Sequence, residues 1–125
     1  VDAISTDGGS IPRNVSVASG LALVRYGALT FEEFVRKVST NPASLFGMAY
    51  KGHLGEGADA DITVLDLERG EAVMGVAKGK IIMIDGVVTG AGGTIVTTRA
   101  GAGSLEMVGL KHDLVDLEKS RFFRR

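Results

Sequence analysis

The 125-residue chain contains no cysteine, so disulfides, thiolate metal sites and cysteine nucleophiles are all excluded. It has little net charge: fourteen basic and fifteen acidic residues leave −1. No whole-molecule field therefore draws it to nucleic acid or to an anionic membrane, and neither is expected as a partner. Long apolar runs are absent too. The stretch 81–84 falls far short of the roughly 20 residues that cross a bilayer. No segment pairs a charged start with an apolar middle as a signal peptide does, and a cytoplasmic location is the expectation. Histidine is scarce, with only His53 and His112. What is present is a hydrophobic fraction of 45% against 23% charged residues, the balance of a soluble domain with a real core. The sequence opens on Val1 rather than methionine, which reads as a fragment, a processed product or a trimmed chain.

Along the chain, a short apolar segment at 3–5 runs into the turn-rich Thr6-Asp7-Gly8-Gly9-Ser10. Val17, Leu21 and Val24 then recur at helical spacing, with Gly27 placed to stop the helix. Thr30 and Glu33 form a capping box for a second helix whose apolar face carries Phe31, Phe34, Val35 and Val38. Asn41-Pro42 reads as an N-cap followed by proline, opening a third helix to about Phe46. After Gly47 the character changes to short β-branched runs at 62–65, 73–76, 80–84, 87–88 and 94–98, with Asp85-Gly86 as a hairpin turn. A short helix is expected at 105–108, and the basic end from Lys119 to Arg125 reads as a solvated terminus. The expected division is 1–50, mostly helical; 51–99, mostly strand; and 100–125, a tail.

Asp7 is the most informative residue. It follows a strand-like segment and precedes two glycines, where α/β folds place ligands and chemistry. Locally, a turn or helix-capping aspartate explains it as well. Asp59 and Asp61 read as turn-forming residues rather than a metal pair, and both histidines as surface residues. Met74, Met83 and Met107 read as core filling. Gly90-Ala91-Gly92-Gly93 lacks the lysine and the helix of a phosphate loop, and Gly101-Ala102-Gly103-Ser104 lacks a βαβ setting.

Three blocks, in order and spacing, resemble the amidohydrolase superfamily. Ile4-Ser5-Thr6-Asp7-Gly8 is similar to the end of its eighth barrel strand, and Asn41-Pro42-Ala43-Ser44-Leu45-Phe46-Gly47 to its NPA-x-x-x-G helix. Lys51-Gly52-His53-Leu54-Gly55-Glu56-Gly57-Ala58-Asp59-Ala60-Asp61-Ile62 is similar to its KG…DAD segment. The resemblance covers about residues 3–90. It implies an α/β fold: the terminal strand and helices of a (β/α)8 metal-dependent hydrolase barrel, followed by part of a small β-sandwich. The implied activity is hydrolysis of an amide or cyclic-amide C–N bond in a small molecule by metal-activated water. Asp7 would be both metal ligand and proton shuttle, a role suited to a carboxylate of pKa about 4.

The loop Asp7-Gly8-Gly9-Ser10-Ile11-Pro12 looks most like isoaspartyl dipeptidases, although one residue shorter, which would set Ser10, Gly8 and Gly9 near substrate. Dihydroorotases and hydantoinases carry histidine where Gly8 stands, and N-acyl-D-amino-acid deacylases tolerate glycine there. The implied cofactor is a divalent metal, zinc, one or two ions. Most of its ligands, including the family's His-x-His, lie outside this sequence, and a complete barrel takes about 250 residues. The chain alone is therefore expected to be inactive. Its expected partner is the remainder of the barrel, as an upstream segment or a separate chain, and exposed strand edges and helix faces should make it oligomerise. The alternative is a non-catalytic assembly fragment that needs a partner chain to complete its fold.

Overall fold

A computed structural model describes residues 2–5, 15–90 and 94–121. The fold is α/β: three helices come first, then a four-stranded sheet, then a two-stranded sheet whose strands flank a fourth helix. Helix α1 spans Val15–Arg25 and ends as its glycine predicts. Gly27 adopts φ +72°, Gly27 N–H donates to Val24 O, and Ala28 N–H donates to Leu23 O. That is a left-handed glycine stop satisfying the last carbonyls of the helix. Arg25, in the last turn, donates Nη2 to the carbonyls of Leu67 and Glu68 at 2.8 and 2.7 Å, tying α1 to a turn of the sheet.

Helix α2, Phe31–Val35, starts at the expected capping box: Glu33 N–H donates to Thr30 Oγ1 at 3.1 Å, and Thr30 N–H donates to Glu33 Oε2 at 2.8 Å. The Thr30 N–H and hydroxyl, both donating to the Glu33 carboxylate, hold it below its usual range. Phe34, 2% exposed, packs against α1 at Gly20, where a methyl group would overlap its ring.

The third helix does not begin anew at Asn41. A π-turn over Arg36–Thr40 carries the helix without a break into α3, Asn41–Leu45. Asn41 has φ −66° and ψ −47°, a helical residue rather than a cap, and its N–H donates to Arg36 O, five residues back. Proline inside a helix lacks a donor and clashes with the carbonyl four residues back. Widening the preceding turn removes that clash, so the proline causes a local π-turn rather than a helix start. At the far end Gly47, φ +69°, repeats the glycine stop, with Met48 N–H donating to Ala43 O.

Strands β1 (Ile62–Asp66), β2 (Glu71–Ala77), β3 (Lys80–Ile84) and β4 (Val87–Val88) form an antiparallel meander in that order. Two-residue turns connect the last three. Asp85-Gly86 was legible from the sequence; Lys78-Gly79 is its twin, with Lys78 at φ 47° and Asp85 at φ 45°, each followed by a left-handed glycine. The bulges at Val64/Leu65 and Gly75/Val76 bend this small sheet.

The last segment is more structured than the sequence suggests. Helix α4 spans Arg99–Met107, taking in the glycine-rich stretch, and it joins β5 (Ile95–Thr97) to a parallel β6 (His112–Leu114). Strand β6 went unpredicted because its pairing partner lies across a helix. Two further corrections follow: Met107 is 84% exposed rather than core, and His112, with a side chain 13% exposed, is not a surface residue.

Candidate functional site

Two of the three motif blocks lie within the described residues, and the charged side chains of the second gather around its lysine. Lys51 extends its Nζ between the carboxylates of Asp59 and Asp61 at 2.7 and 2.6 Å, with Asp113 Oδ2 at 3.7 Å. Asp113 sits on β6 and also takes Lys78 Nζ at 2.8 Å. Asp61 Oδ1 accepts the Lys78 backbone N–H at 2.7 Å, which fixes the β2–β3 turn to the loop before β1. Burial opposes the charge on Lys51, but its hydrogen bonds to Asp59 and Asp61 and their proximity outweigh it and raise its pKa. The Lys51 bond, with that from the Lys78 N–H, holds Asp61 below the usual carboxylate range. Tyr50, whose hydroxyl donates to Leu114 O at 3.1 Å, is raised by burial and by the Asp113 charge.

The glycines of the motifs have their own reasons. Gly52 adopts φ +79°, and a Cβ there would stand 2.7 Å from Ser39 O and 2.8 Å from Ala43 Cβ. This close approach lets Thr40 Oγ1 donate to Gly52 O at 2.7 Å, so the loop after Lys51 lies flat against the helix. Gly47 faces the Asp116 carbonyl, where any side chain would collide. Ser120, fully buried, donates Oγ to Leu45 O at 2.5 Å, so the segment after β6 straps the end of α3.

These carboxylates do not fit a metal ion. Asp59, Asp61 and Asp113 are arranged around an ammonium, which already supplies the positive charge a cation would bring. Among the described residues no group of three histidine, aspartate or glutamate side chains could hold a metal. His53 has both nitrogens engaged: Gly55 N–H donates to Nδ1 at 3.1 Å, so Nε2 carries the proton and donates to Ala49 O at 2.8 Å. His112 Nδ1 donates to Leu110 O at 3.1 Å. Asp7, Gly8, Gly9 and Ser10 lie outside the described residues. The segment just before them is described: Asn41 Nδ2 donates to Asp2 O at 2.6 Å, and Ile4 N–H donates to Lys37 O at 3.0 Å.

A cleft of about 640 Å³ opens between the 31–45 helix and β1, walled by Phe34, Val38, Thr40, His53 and Ile62. Its one carboxylate, Asp61, is committed to Lys51. The described geometry is thus a scaffold whose motif residues lock helix, loop and sheet together.

That scaffold agrees with the comparison to known proteins, in which residues 2–90 match the Amidohydrolase family. The chain belongs to this family. Among its relatives is a dihydroorotase of Syntrophus aciditrophicus, 53% identical over 51 residues, covering 41% of this chain and 12% of that protein. A dihydroorotase of Methanothermobacter thermautotrophicus is 30% identical over 92 residues, covering 54% and 21%. Among solved structures, a beta-aspartyl dipeptidase from Fervidobacterium islandicum AW-1 in complex with a beta-Asp-Leu dipeptide superposes with a TM-score of 0.54 at 28% identity, over 70% of this chain and 24% of that one. A D-hydantoinase gives 0.51 at 25% identity, over 59% and 22%. The chain therefore spans a quarter or less of the length of each of these amidohydrolase relatives. No helix among the described residues is long and apolar enough to cross a membrane.

The sequence signal that could have found the Lys51 cluster is its spacing: a lysine eight and ten residues ahead of two aspartates, with a glycine beside it. Nothing in the sequence pointed to Asp113 or Lys78, which only folding brings to the same place.

Proposed function

We propose that this chain is the C-terminal part of an amidohydrolase that hydrolyses a C–N bond, amide or cyclic amide, in a small molecule. The observation that carries the reading is the family match over residues 2–90, with Gly52 of the KG…DAD block lying against Ala43 of the NPA block. In this reading residues 1–50 close a barrel, 51–99 contribute to a small β-domain, and 100–125 follow it. Asp7 is the catalytic carboxylate. Ionised at neutral pH, it takes a proton from the attacking water and hands it to the leaving nitrogen, as a base of pKa about 4 can once the water is acidified. Ser10, with Gly8 and Gly9, lies along the substrate.

The acidified water is what a divalent metal, zinc in one or two ions, supplies in such enzymes. Since the described residues do not form its site, Asp7 is the ligand this chain brings, and the others come from the remainder of the barrel. That remainder is the partner the chain requires. Exposed apolar side chains such as Leu54, Val88 and Met107, 77%, 75% and 84% exposed, fit surfaces that pack against it or against further copies.

Asp7→Asn in the completed enzyme tests the proposal. Turnover of an amide substrate should fall by several orders of magnitude with the fold kept; unchanged turnover removes Asp7 from the mechanism and leaves the chain a non-catalytic assembly fragment. The 125 residues alone, supplied with zinc, should hydrolyse neither a beta-aspartyl dipeptide nor a hydantoin.

A further inference from the structure

The π-turn at Arg36–Thr40 leaves one carbonyl with an unusual partner. In an α-helix Lys37 O would accept from the N–H of residue 41, and in a π-helix from that of residue 42. Here Asn41 N–H goes to Arg36 O, and Pro42 has no N–H. The N–H that reaches Lys37 O belongs instead to Ile4, at 3.0 Å, on the segment 2–5. One helical turn further on, the Asn41 side chain donates Nδ2 to Asp2 O at 2.6 Å.

The two contacts match in geometry. Residues 37 and 41 share a helix face at i and i+4, and the segment 2–5 offers that face one backbone carbonyl and one backbone N–H, two residues apart. Both contacts are made to the backbone of the segment, so they hold its course whatever side chains it carries. Ala3 and Ile4 are half-buried there.

We propose that Asn41 and Pro42 are positioning residues: Pro42 keeps the Lys37 carbonyl available, Asn41 supplies the second bond, and together they clamp the segment that continues, three residues after Ile4, into Asp7. The role for catalysis rests on the function proposed above; the clamp does not. Asn41 acts through Asp7 and touches neither substrate nor metal.

Amide hydrogen exchange on the full 125-residue chain tests the clamp, using Asn41→Asp, which is nearly isosteric but cannot donate, and Pro42→Ala, which restores an N–H at position 42. In the native chain the Ile4 amide is protected. Each variant should speed its exchange by about tenfold, the worth of one net hydrogen bond. The helical amides of 31–45 should be unchanged in Asn41→Asp and slower in Pro42→Ala, since alanine suits a helix interior. A purely structural role predicts the opposite for the helix, a loss of protection there. Unaltered Ile4 exchange in both variants, or loss only together with the helix, overturns the clamp.

The second arm is turnover of the completed enzyme. Asn41→Asp should lower kcat with KM held, because the reacting carboxylate is misplaced while substrate contacts persist. If Ile4 is released while kcat stays intact in an enzyme that Asp7→Asn silences, the positioning role is refuted. If Asp7→Asn itself leaves turnover intact, the proposed function fails, and the clamp is judged on Ile4 exchange alone.

Discussion

Replacing Lys51 by methionine keeps most of the apolar stem and removes the ammonium with its charge and its hydrogen bonds, leaving Asp59, Asp61 and Asp113 facing one another. In the native chain two of these carboxylates stand at 2.7 and 2.6 Å from the ammonium and the third at 3.7 Å. The cluster is neither fully exposed nor dry: the Lys51 side chain is 21% exposed, Asp113 12% and Asp61 37%. Exposed pairs contribute at most about 1 kcal/mol, and removing one partner of a buried pair costs about 3–5 kcal/mol. A cluster of intermediate burial, in which Lys78 still neutralises part of Asp113, places Lys51→Met at about 2–3 kcal/mol of destabilisation at pH 7.

The dependence on pH is diagnostic. Asp61 has its folded pKa depressed, so its stabilisation is present above its unfolded value of about 4 and is lost as pH falls through the folded value. Lys51 has its folded pKa raised, so its share is complete below about pH 10 and is lost only as pH rises through the folded value. In Lys51→Met the carboxylates repel, and protonating them relieves the repulsion. The deficit measured at pH 7 should therefore shrink as pH is lowered to about 3, below the unfolded carboxylate value, where the native cluster begins to lose its own charges. Urea unfolding of both proteins at the two pH values and matched ionic strength reads this directly. A second change, Asp59→Asn, should restore part of the stability at pH 7. A deficit that is absent, or equal at both pH values, would refute the cluster as an electrostatic lock.

Gly52→Ala combines a left-handed backbone with a Cβ 2.7 Å from Ser39 O, and should destabilise by about 2–4 kcal/mol in denaturant unfolding. Gly20→Ala should cost more than the usual glycine-to-alanine change in a helix, which is favourable by about 1 kcal/mol, because its methyl overlaps the Phe34 ring; the added Phe34→Leu change should recover part of the loss. The isolated chain should run as an oligomer in size-exclusion chromatography, given Leu54, Val88 and Met107 at its surface. A compact monomer would contradict the proposal that these faces pack against a partner.

Local signals were legible where one interaction between near neighbours decides the conformation. Gly27 ends α1 because only glycine adopts φ +72° without cost, and Thr30 with Glu33 caps α2 from three residues apart. Asp85-Gly86 turns a hairpin for the same reason, and β3 and β4 fall where their β-branched runs stand. The sequence was misleading at Asn41-Pro42, where a strong helix-start signature sits inside a helix, because the preceding turn could widen and spare the proline its clash. Of the site, the sequence marked Asp7, Gly8, Gly9 and Ser10 by their place after an apolar segment and by likeness to a family, but it carried no account of what holds that segment.

By itself, then, the sequence determined family membership, the helix-then-strand order and the turns, since motif spacing and short-range hydrogen bonds are written in adjacent residues. Tertiary structure alone decided that Asp113 and Lys78 join Lys51, that Ser120 closes on Leu45, and that Asn41 holds Asp2 rather than capping a helix. Each of these contacts spans 35 to 75 residues. No local rule fixes such partners, because the entropy of closing those loops is met only when the surrounding strands and helices form together.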